Sequence, residues 1–223
     1  AAGAAVVVGD VLDAAGQATV QALREGGANA QFVHLDVTDE ASVQALLTGL
    51  AQEGHQIGTL VNNAGYGAMG PMLDVPTAEW QRQFDVNLFA PMALTRAVLP
   101  GMIARRRGLV VNISSVSGVL TTPFAGPYCA SKAAFNAASD ALRMELAPLG
   151  VKVVAVQPGG IQSAFGSNAG NAVSLAPDSP YQAIKASVLA RAHESQSNAM
   201  PADTFARLLV DQLLKADCPP VVR

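Results

Sequence analysis

Leu109-Val110-Val111-Asn112-Ile113 is followed by a helix-forming stretch, Pro127–Leu149, and then by Val151-Lys152-Val153-Val154-Ala155-Val156. Two short β-branched runs flanking a long helical pattern make a strand–helix–strand unit. The same alternation extends outward in both directions. Strands are predicted at Ala5–Gly9, Gln31–Leu35 and Leu60–Asn62, with a stub at Pro220–Val222. Helices are predicted at Ala14–Glu25, Glu40–Glu53, Thr77–Ala104, Pro180–Glu194 and Ala202–Lys215. Alternation of this kind predicts an α/β fold, a doubly wound parallel sheet with helices on both faces. The stops are chemically explicit: Gly26-Gly27 closes the first helix, and Pro148 with Gly150 closes the alanine-rich one. No repeat or linker divides the chain, so residues 1–223 read as a single domain.

Composition agrees with a sheet buried on both faces. Half of the 223 residues are apolar and only 14% are charged. The formal net charge of −3 gives no electrostatic reason to expect nucleic acid or an anionic membrane. The basic run Arg105–Arg107 precedes Gly108 and reads as the last turn of a helix, where cations complement the dipole. Cys129 and Cys218 are too few and too far apart for a disulfide framework, which points to a reducing, cytoplasmic setting. His34, His55 and His193 are scattered and lack metal-ligand spacing, so no metal site is expected. No apolar run reads as long enough to span a bilayer, and Ala1–Val8 lacks the basic region of a signal peptide.

The chemistry concentrates at predicted strand ends, where doubly wound sheets bind ligands. Tyr128-Cys129-Ala130-Ser131-Lys132 lies near the start of a helix, with Tyr and Lys four apart on one helical face. An ammonium beside a phenol favours the phenolate and draws its pKa down from about 10 toward the working range. Read alone, such a pair is equally a surface contact. Thirteen residues earlier, Ser115 closes a strand in Asn112-Ile113-Ser114-Ser115, where its hydroxyl can polarise a substrate carbonyl or simply cap a turn. Asn62-Asn63-Ala64-Gly65 closes another strand. The small residues Ala64 and Gly65, with Asn63, let a cofactor approach the backbone, and the asparagines can tie strands together.

Asn87 lies inside a predicted helix, and Pro91, four residues on, has no N–H for its carbonyl. That carbonyl is left free to hold a water, or the proline merely kinks the helix. Asp10 ends the first strand. A carboxylate there accepts from ribose hydroxyls and repels a 2′-phosphate, favouring NAD over NADP; the alternative is a helix cap.

Together these elements resemble the short-chain dehydrogenase/reductase (SDR) family, over nearly the whole chain. The Asn-Asn-Ala-Gly element, the Asn of Asp85-Val86-Asn87-Leu88, the Ser-Ser pair, Tyr-x-x-x-Lys and Pro158-Gly159 occur in the family's order and spacing. The resemblance implies a Rossmann-type sheet and a hydride transfer between a nicotinamide cofactor and a secondary alcohol or ketone. It implies Tyr128 as acid/base, Lys132 lowering its pKa and holding the nicotinamide ribose, Ser115 polarising the carbonyl, and Asn87 anchoring a relay water. Pro158, Gly159 and Ile161 would line the nicotinamide, and Asp36 and Val37 would contact adenine. NAD is the expected cofactor, yet the segment from Tyr66 to Pro91 looks most like branches that often use NADPH. Small residues at Ala130, Ala133, Ala134, Ala137 and Ala138 suit close helix packing in a homodimer or homotetramer, or packing on the sheet alone.

Two features stand apart from the pattern. The glycine-rich phosphate loop is not found, and Ala1-Ala2-Gly3-Ala4 reads as the tail of the helix that should follow it. The first strand is central in a 3-2-1-4-5-6 sheet, so the strands at Ala5 and Gln31 lack a partner joining them to the strand at Leu60. The expectation is a fragment lacking about thirty residues at its start and ending inside the last strand. A non-catalytic dinucleotide-binding or scaffold protein is the competing reading. The loose stretch Gly159–Pro180 reads as a lid or as plain loop, and with Val116, Phe124 and Phe165 it suggests an apolar substrate. Steroid, retinoid, lipid-ketone and small polyol substrates all stay open.

Overall fold

A computed structural model describes residues 3–165, 169 and 173–223. The chain forms two compact units, 1–56 and 57–223. In the smaller one, strands β1 (Val6–Asp10) and β2 (Ala30–His34) pair in parallel, with Val6 opposite Ala30 and Asp10 opposite His34. Helix α1 (Asp13–Glu25) follows β1, and α2 (Glu40–Gln52) follows β2. Gly16 of α1 lies directly against the Phe32 ring, where any side chain would collide, so the helix seats closely on β2. Gly26 ends α1 and Gly27 takes a φ of 79°, as the glycine pair predicts. Asp39 caps α2 by accepting from the Ala41 N–H.

The larger unit holds a four-stranded parallel sheet in the order β3-β4-β5-β6, formed by Thr59–Asn62, Gly108–Ile113, Val151–Val156 and Val221–Val222. Among the described strands, β1 and β2 form one sheet and β3 to β6 another. Alternate residues show why both faces are covered. Val111, Val154 and Val156 pack on Leu209 of helix α7 (Ala202–Leu213), together with Leu109, Ile113, Phe205 and Leu213. The intervening Asn112 points the other way, into α5 (Gly126–Leu146), where it reaches Ser139. Helix α6 (Lys185–His193) is shorter than the predicted Pro180–Glu194. The Ser179 hydroxyl accepts from the Tyr181 N–H, and 3₁₀ turns occupy Gln182–Ile184 and Glu194–Gln196.

The predicted helix Thr77–Ala104 is three pieces: α3 (Thr77–Phe84), a π turn (Asp85–Phe89) and α4 (Ala90–Ala104). Pro91 explains the break. It cannot donate to Asn87, and the backbone widens so that the Ala90 N–H reaches Asp85, five residues back. By length and composition this 28-residue stretch could cross a membrane, against the expectation that no run could. Yet 44% of its most apolar window is buried within this chain, and Gln83, Asn87 and Thr95 spend their polar groups there. Arg105–Arg107 also differ from expectation. They lie beyond the end of α4, and Arg105 and Arg106 donate to the carbonyls of Ile57 and Pro148.

After α5, the 3₁₀ turn Ala147–Leu149 ends at Gly150, whose φ is 78°. A Cβ on Gly150 would run into the Arg106 carbonyl, so two connections meet backbone to backbone. Gly150→Ala is therefore expected to destabilise the protein by about 3 kcal/mol, the sum of a left-handed backbone cost and local overpacking. Urea unfolding checks this, and a loss under ~1 kcal/mol would contradict the close approach.

Candidate active site

Three of the four predicted catalytic side chains meet where β4 ends. Lys132 reaches across from α5 and donates to the Ile113 carbonyl at 2.8 Å. Ser115 follows two residues later in extended backbone, and its Oγ accepts from the Ser117 N–H at 3.0 Å, capping a 3₁₀ turn over Val116–Gly118. That turn lies hard on α5, for a Cβ on Gly118 would stand 2.7 Å from the Lys132 carbonyl oxygen. Ser115 is thereby held in hydrogen-bonding reach of the Tyr128 hydroxyl, one helical turn before Lys132. Of the two alternatives for Ser115, the turn cap is present, and the same residue also faces the phenol. All three groups are buried, with exposures of 7% for Ser115, 8% for Tyr128 and 4% for Lys132.

Burial decides the protonation states. The Tyr128 phenol is pushed up to about 12, chiefly because the phenolate would lose its hydration; the Ser115 hydroxyl offsets part of this. Lys132 is pushed down to about 8 for the same reason. The expectation that Lys132 draws the phenol toward neutrality is therefore not met here. Desolvation dominates, and the Lys132 ammonium is turned to the Ile113 carbonyl.

Asn87, 1% exposed, serves a different purpose in this arrangement. Its side-chain amide accepts from the Tyr66 N–H at 3.1 Å and donates to the Tyr66 carbonyl and to Ser131 Oγ. Ser131 in turn donates to the Tyr128 carbonyl. The asparagine thus fastens the loop after β3 to the helix that carries Tyr128 and Lys132. Gln83, fully buried, grips the same loop at the Ala68 N–H and the Tyr66 carbonyl. Gln83, Ser131, Thr95 and Ser139 hold the elements of this candidate site together and were not singled out by sequence reasoning. Their one signal is spacing: Gln83 stands four residues before Asn87, and Ser131 three after Tyr128, on shared helical faces. The expected tie between strands is present. Asn62 donates to Asn112 at 2.8 Å and to Thr95 at 2.9 Å, and Asn112 donates to Ser139.

The nicotinamide end of a cofactor site can be judged from the same residues. Asn63, Ala64 and Gly65 are exposed beyond β3. A Cβ on Gly65 would stand 3.1 Å from Asn87 Oδ1 and 3.5 Å from Lys132 Nζ, so the glycine keeps a hollow open beside the ammonium. Gly159 borders free space, and the Pro158 carbonyl accepts from the Val116 N–H. Ile161 is bridged to Met200. These residues fit a group with ribose hydroxyls and an amide. In the smaller unit, Asp10 is exposed and its carboxylate accepts from the Leu12 N–H at 2.9 Å, a bond in the turn before α1 rather than the helix cap weighed against ribose binding, since no side chain caps α1. The Asp36 carboxylate accepts from the Thr38 hydroxyl and N–H, which holds its pKa below the usual value. Val37 beside it is half-buried. The predicted lid Gly159–Pro180 falls partly outside the described residues. Within it, Phe165 lies on the Tyr128 ring, with centroids 5.3 Å apart.

Comparison with known proteins follows this geometry. Residues 1–174 match the sequence pattern of the short chain dehydrogenase family. Cyclopentanol dehydrogenase of Comamonas sp. (strain NCIMB 9872) is 36% identical over 157 residues, which cover 70% of this chain and 63% of that protein. The chain thus spans less than two thirds of that relative's length. The crystal structure of a short chain dehydrogenase/reductase from Burkholderia phymatum in complex with NAD superposes with a TM-score of 0.83 at 28% identity, over 98% of this chain and 79% of that one. A gluconate 5-dehydrogenase from Burkholderia cenocepacia, in complex with NADP and tartrate, gives 0.70 at 28% identity, over 75% and 66% of the two chains. With its ordered motifs, its doubly wound sheet and its buried Ser-Tyr-Lys group, the chain belongs to the short-chain dehydrogenase/reductase family.

Proposed function

We propose that this protein is an NAD(P)-dependent oxidoreductase that interconverts a secondary alcohol and a ketone. The observation that carries the proposal is the burial of Ser115, Tyr128 and Lys132 at one strand end, with Ser115 in hydrogen-bonding reach of the phenol. Relatives that act on cyclopentanol and on gluconate, and neighbours holding NAD and NADP, support the reaction class and the cofactor. When bound, the nicotinamide supplies the hydride acceptor or donor. Tyr128 transfers the proton of the substrate oxygen, and Ser115 donates a hydrogen bond to that oxygen. Lys132 holds the nicotinamide ribose with the N–H groups not spent on Ile113, beside Asn63, Ala64 and Gly65. Pro158, Gly159 and Ile161 line the ring, and Asp36 and Val37 contact adenine. Asn87 anchors a relay water through its main-chain carbonyl and secures the loop after β3. Titration of NADH fluorescence, followed by NADH oxidation with simple ketones, tests the reading; binding without any turnover would favour the scaffold alternative.

Asp10→Ala is expected to shift the ratio of kcat/KM for NAD over NADP by about tenfold toward NADP, since both a ribose acceptor and a repulsive charge disappear. An unchanged ratio would leave Asp10 with only its turn bond to Leu12. We further propose that the two compact units belong to one dinucleotide-binding domain in a cytoplasmic protein. The small residues Ala133 and Ala137 of α5 remain exposed, which supports pairing of the helices into a homodimer or homotetramer. Light scattering at micromolar concentration is expected to give at least a dimer, and a monomer would contradict this.

A further inference from the structure

We infer that the substrate of this site is a carbon-rich, apolar secondary alcohol or its ketone rather than a polyhydroxylated one, and that Phe165 enforces the choice. The inference rests on the alcohol–ketone reading of the same site. The surroundings of the Tyr128 ring carry it. Met69, Ala125, Cys129, Ala169 and Ala192 form a buried cluster with that ring, and Phe165 and Val173 pack on its outer side. None of these side chains is charged, and none offers an oxygen or nitrogen to a hydroxyl. Among the described residues that pack on the Tyr128 ring, a substrate carbon meets hydrocarbon, and an additional substrate hydroxyl set against them enters without a partner.

Phe165 is the best-placed of these groups to select. Its ring is tilted 48° to that of Tyr128, and its tip presses on Gly67, where a Cβ would stand 2.9 Å from Cζ. Gly67 is fixed in turn, because the loop on either side of it is gripped by Gln83 at Tyr66 and Ala68. The phenylalanine is half-buried, so it can contact both the phenol and an incoming ligand. The flanking segments are also apolar toward solvent. Met72, 60% exposed, packs where Gly126 begins α5, and Val119 and Leu120 follow the turn capped by Ser115 with exposures of 55% and 69%. An apolar approach leading to an apolar wall favours partition of a hydrophobic ligand from water.

The test compares matched rings. Cyclohexanol and inositol share a six-carbon ring and differ by five hydroxyls; 2-octanol and sorbitol, with eight and six carbons, make an open-chain comparison of an apolar with a polyhydroxylated alcohol. Reduction of NAD and NADP is followed with each. The expected result is a kcat/KM for cyclohexanol at least about a hundredfold above that for inositol, with 2-octanol above sorbitol in the same sense. Phe165→Asn is expected to narrow the ratio about tenfold, mainly through a higher KM for cyclohexanol, and Phe165→Leu to preserve it. Equal or better turnover of inositol and sorbitol overturns the apolar class while leaving the alcohol oxidation standing. An unchanged ratio in a folded Phe165→Asn protein overturns the role of Phe165. Turnover of none of the four alcohols with either cofactor overturns the underlying reading and this inference with it.

Discussion

Tyr128→Phe is expected to lower kcat by about a thousandfold or more while NADH affinity changes less than about threefold. In the proposed reaction the phenol oxygen moves the substrate proton, whereas cofactor binding falls to Lys132, the Asn63–Gly65 backbone and the Gly159 edge. The ring itself is retained, so its packing with Phe165 and Met69 survives and the fold is undisturbed. The pH dependence carries a second signature. With the phenol pushed up to about 12, it is protonated at neutral pH, ready to donate to a ketone. Alcohol oxidation needs the phenolate, so its kcat/KM is expected to rise about tenfold per pH unit above neutrality, until cofactor binding or another group alters the balance. Stopped-flow turnover in both directions checks both statements. A Tyr128→Phe enzyme that keeps most of the parent kcat would remove Tyr128 from the chemistry.

Lys132→Met is expected to remove activity by about a hundredfold or more and, at pH 7, to make the protein more stable. An ammonium that is 4% exposed has lost its hydration, and its pKa falls from 10.5 to about 8 as a result. Because the folded-state pKa is the lower of the two, the folded protein binds fewer protons than the unfolded chain between pH 8 and 10.5. The burial penalty is therefore complete below pH 8 and is relieved as pH rises through that window. Methionine fills similar volume without a charge, and it forfeits the bond to the Ile113 carbonyl. The net gain expected at pH 7 is on the order of 2 kcal/mol, shrinking toward zero or below near pH 10.5. Thermal melts of parent and variant across this range decide it. A variant less stable than the parent at pH 7, or a difference that ignores pH, would mean that Lys132 is not buried as a charge. A lysine kept at a stability cost is one kept for binding or catalysis.

The alternation of strand and helix was legible because a buried parallel strand leaves a short β-branched run and a helix leaves a longer periodic one. Strand β5 coincides with its predicted span, and the others shift by a residue or so at their ends. The candidate residue types and their spacing were legible for the same reason: Tyr128 and Lys132 lie on one helical face, and Ser115 follows the end of a strand. Glycine pairs and the Pro148–Gly150 stop announced helix ends through their own backbone limits. These are properties of neighbours along the chain.

What only the tertiary structure decided are relations across it. The direction of the Tyr128 pKa depends on whether burial or a cation dominates, and burial is set by Met69, Ala192 and Phe165 packing around the ring from distant segments. The work of Asn87 could be read from Pro91 as a carbonyl left without its donor, but its side chain is committed to Tyr66 and Ser131, partners twenty-one and forty-four residues away. Local rules report the backbone's own hydrogen bonds; which side chains a fold spends on holding a loop to a helix depends on contacts between segments far apart in the chain.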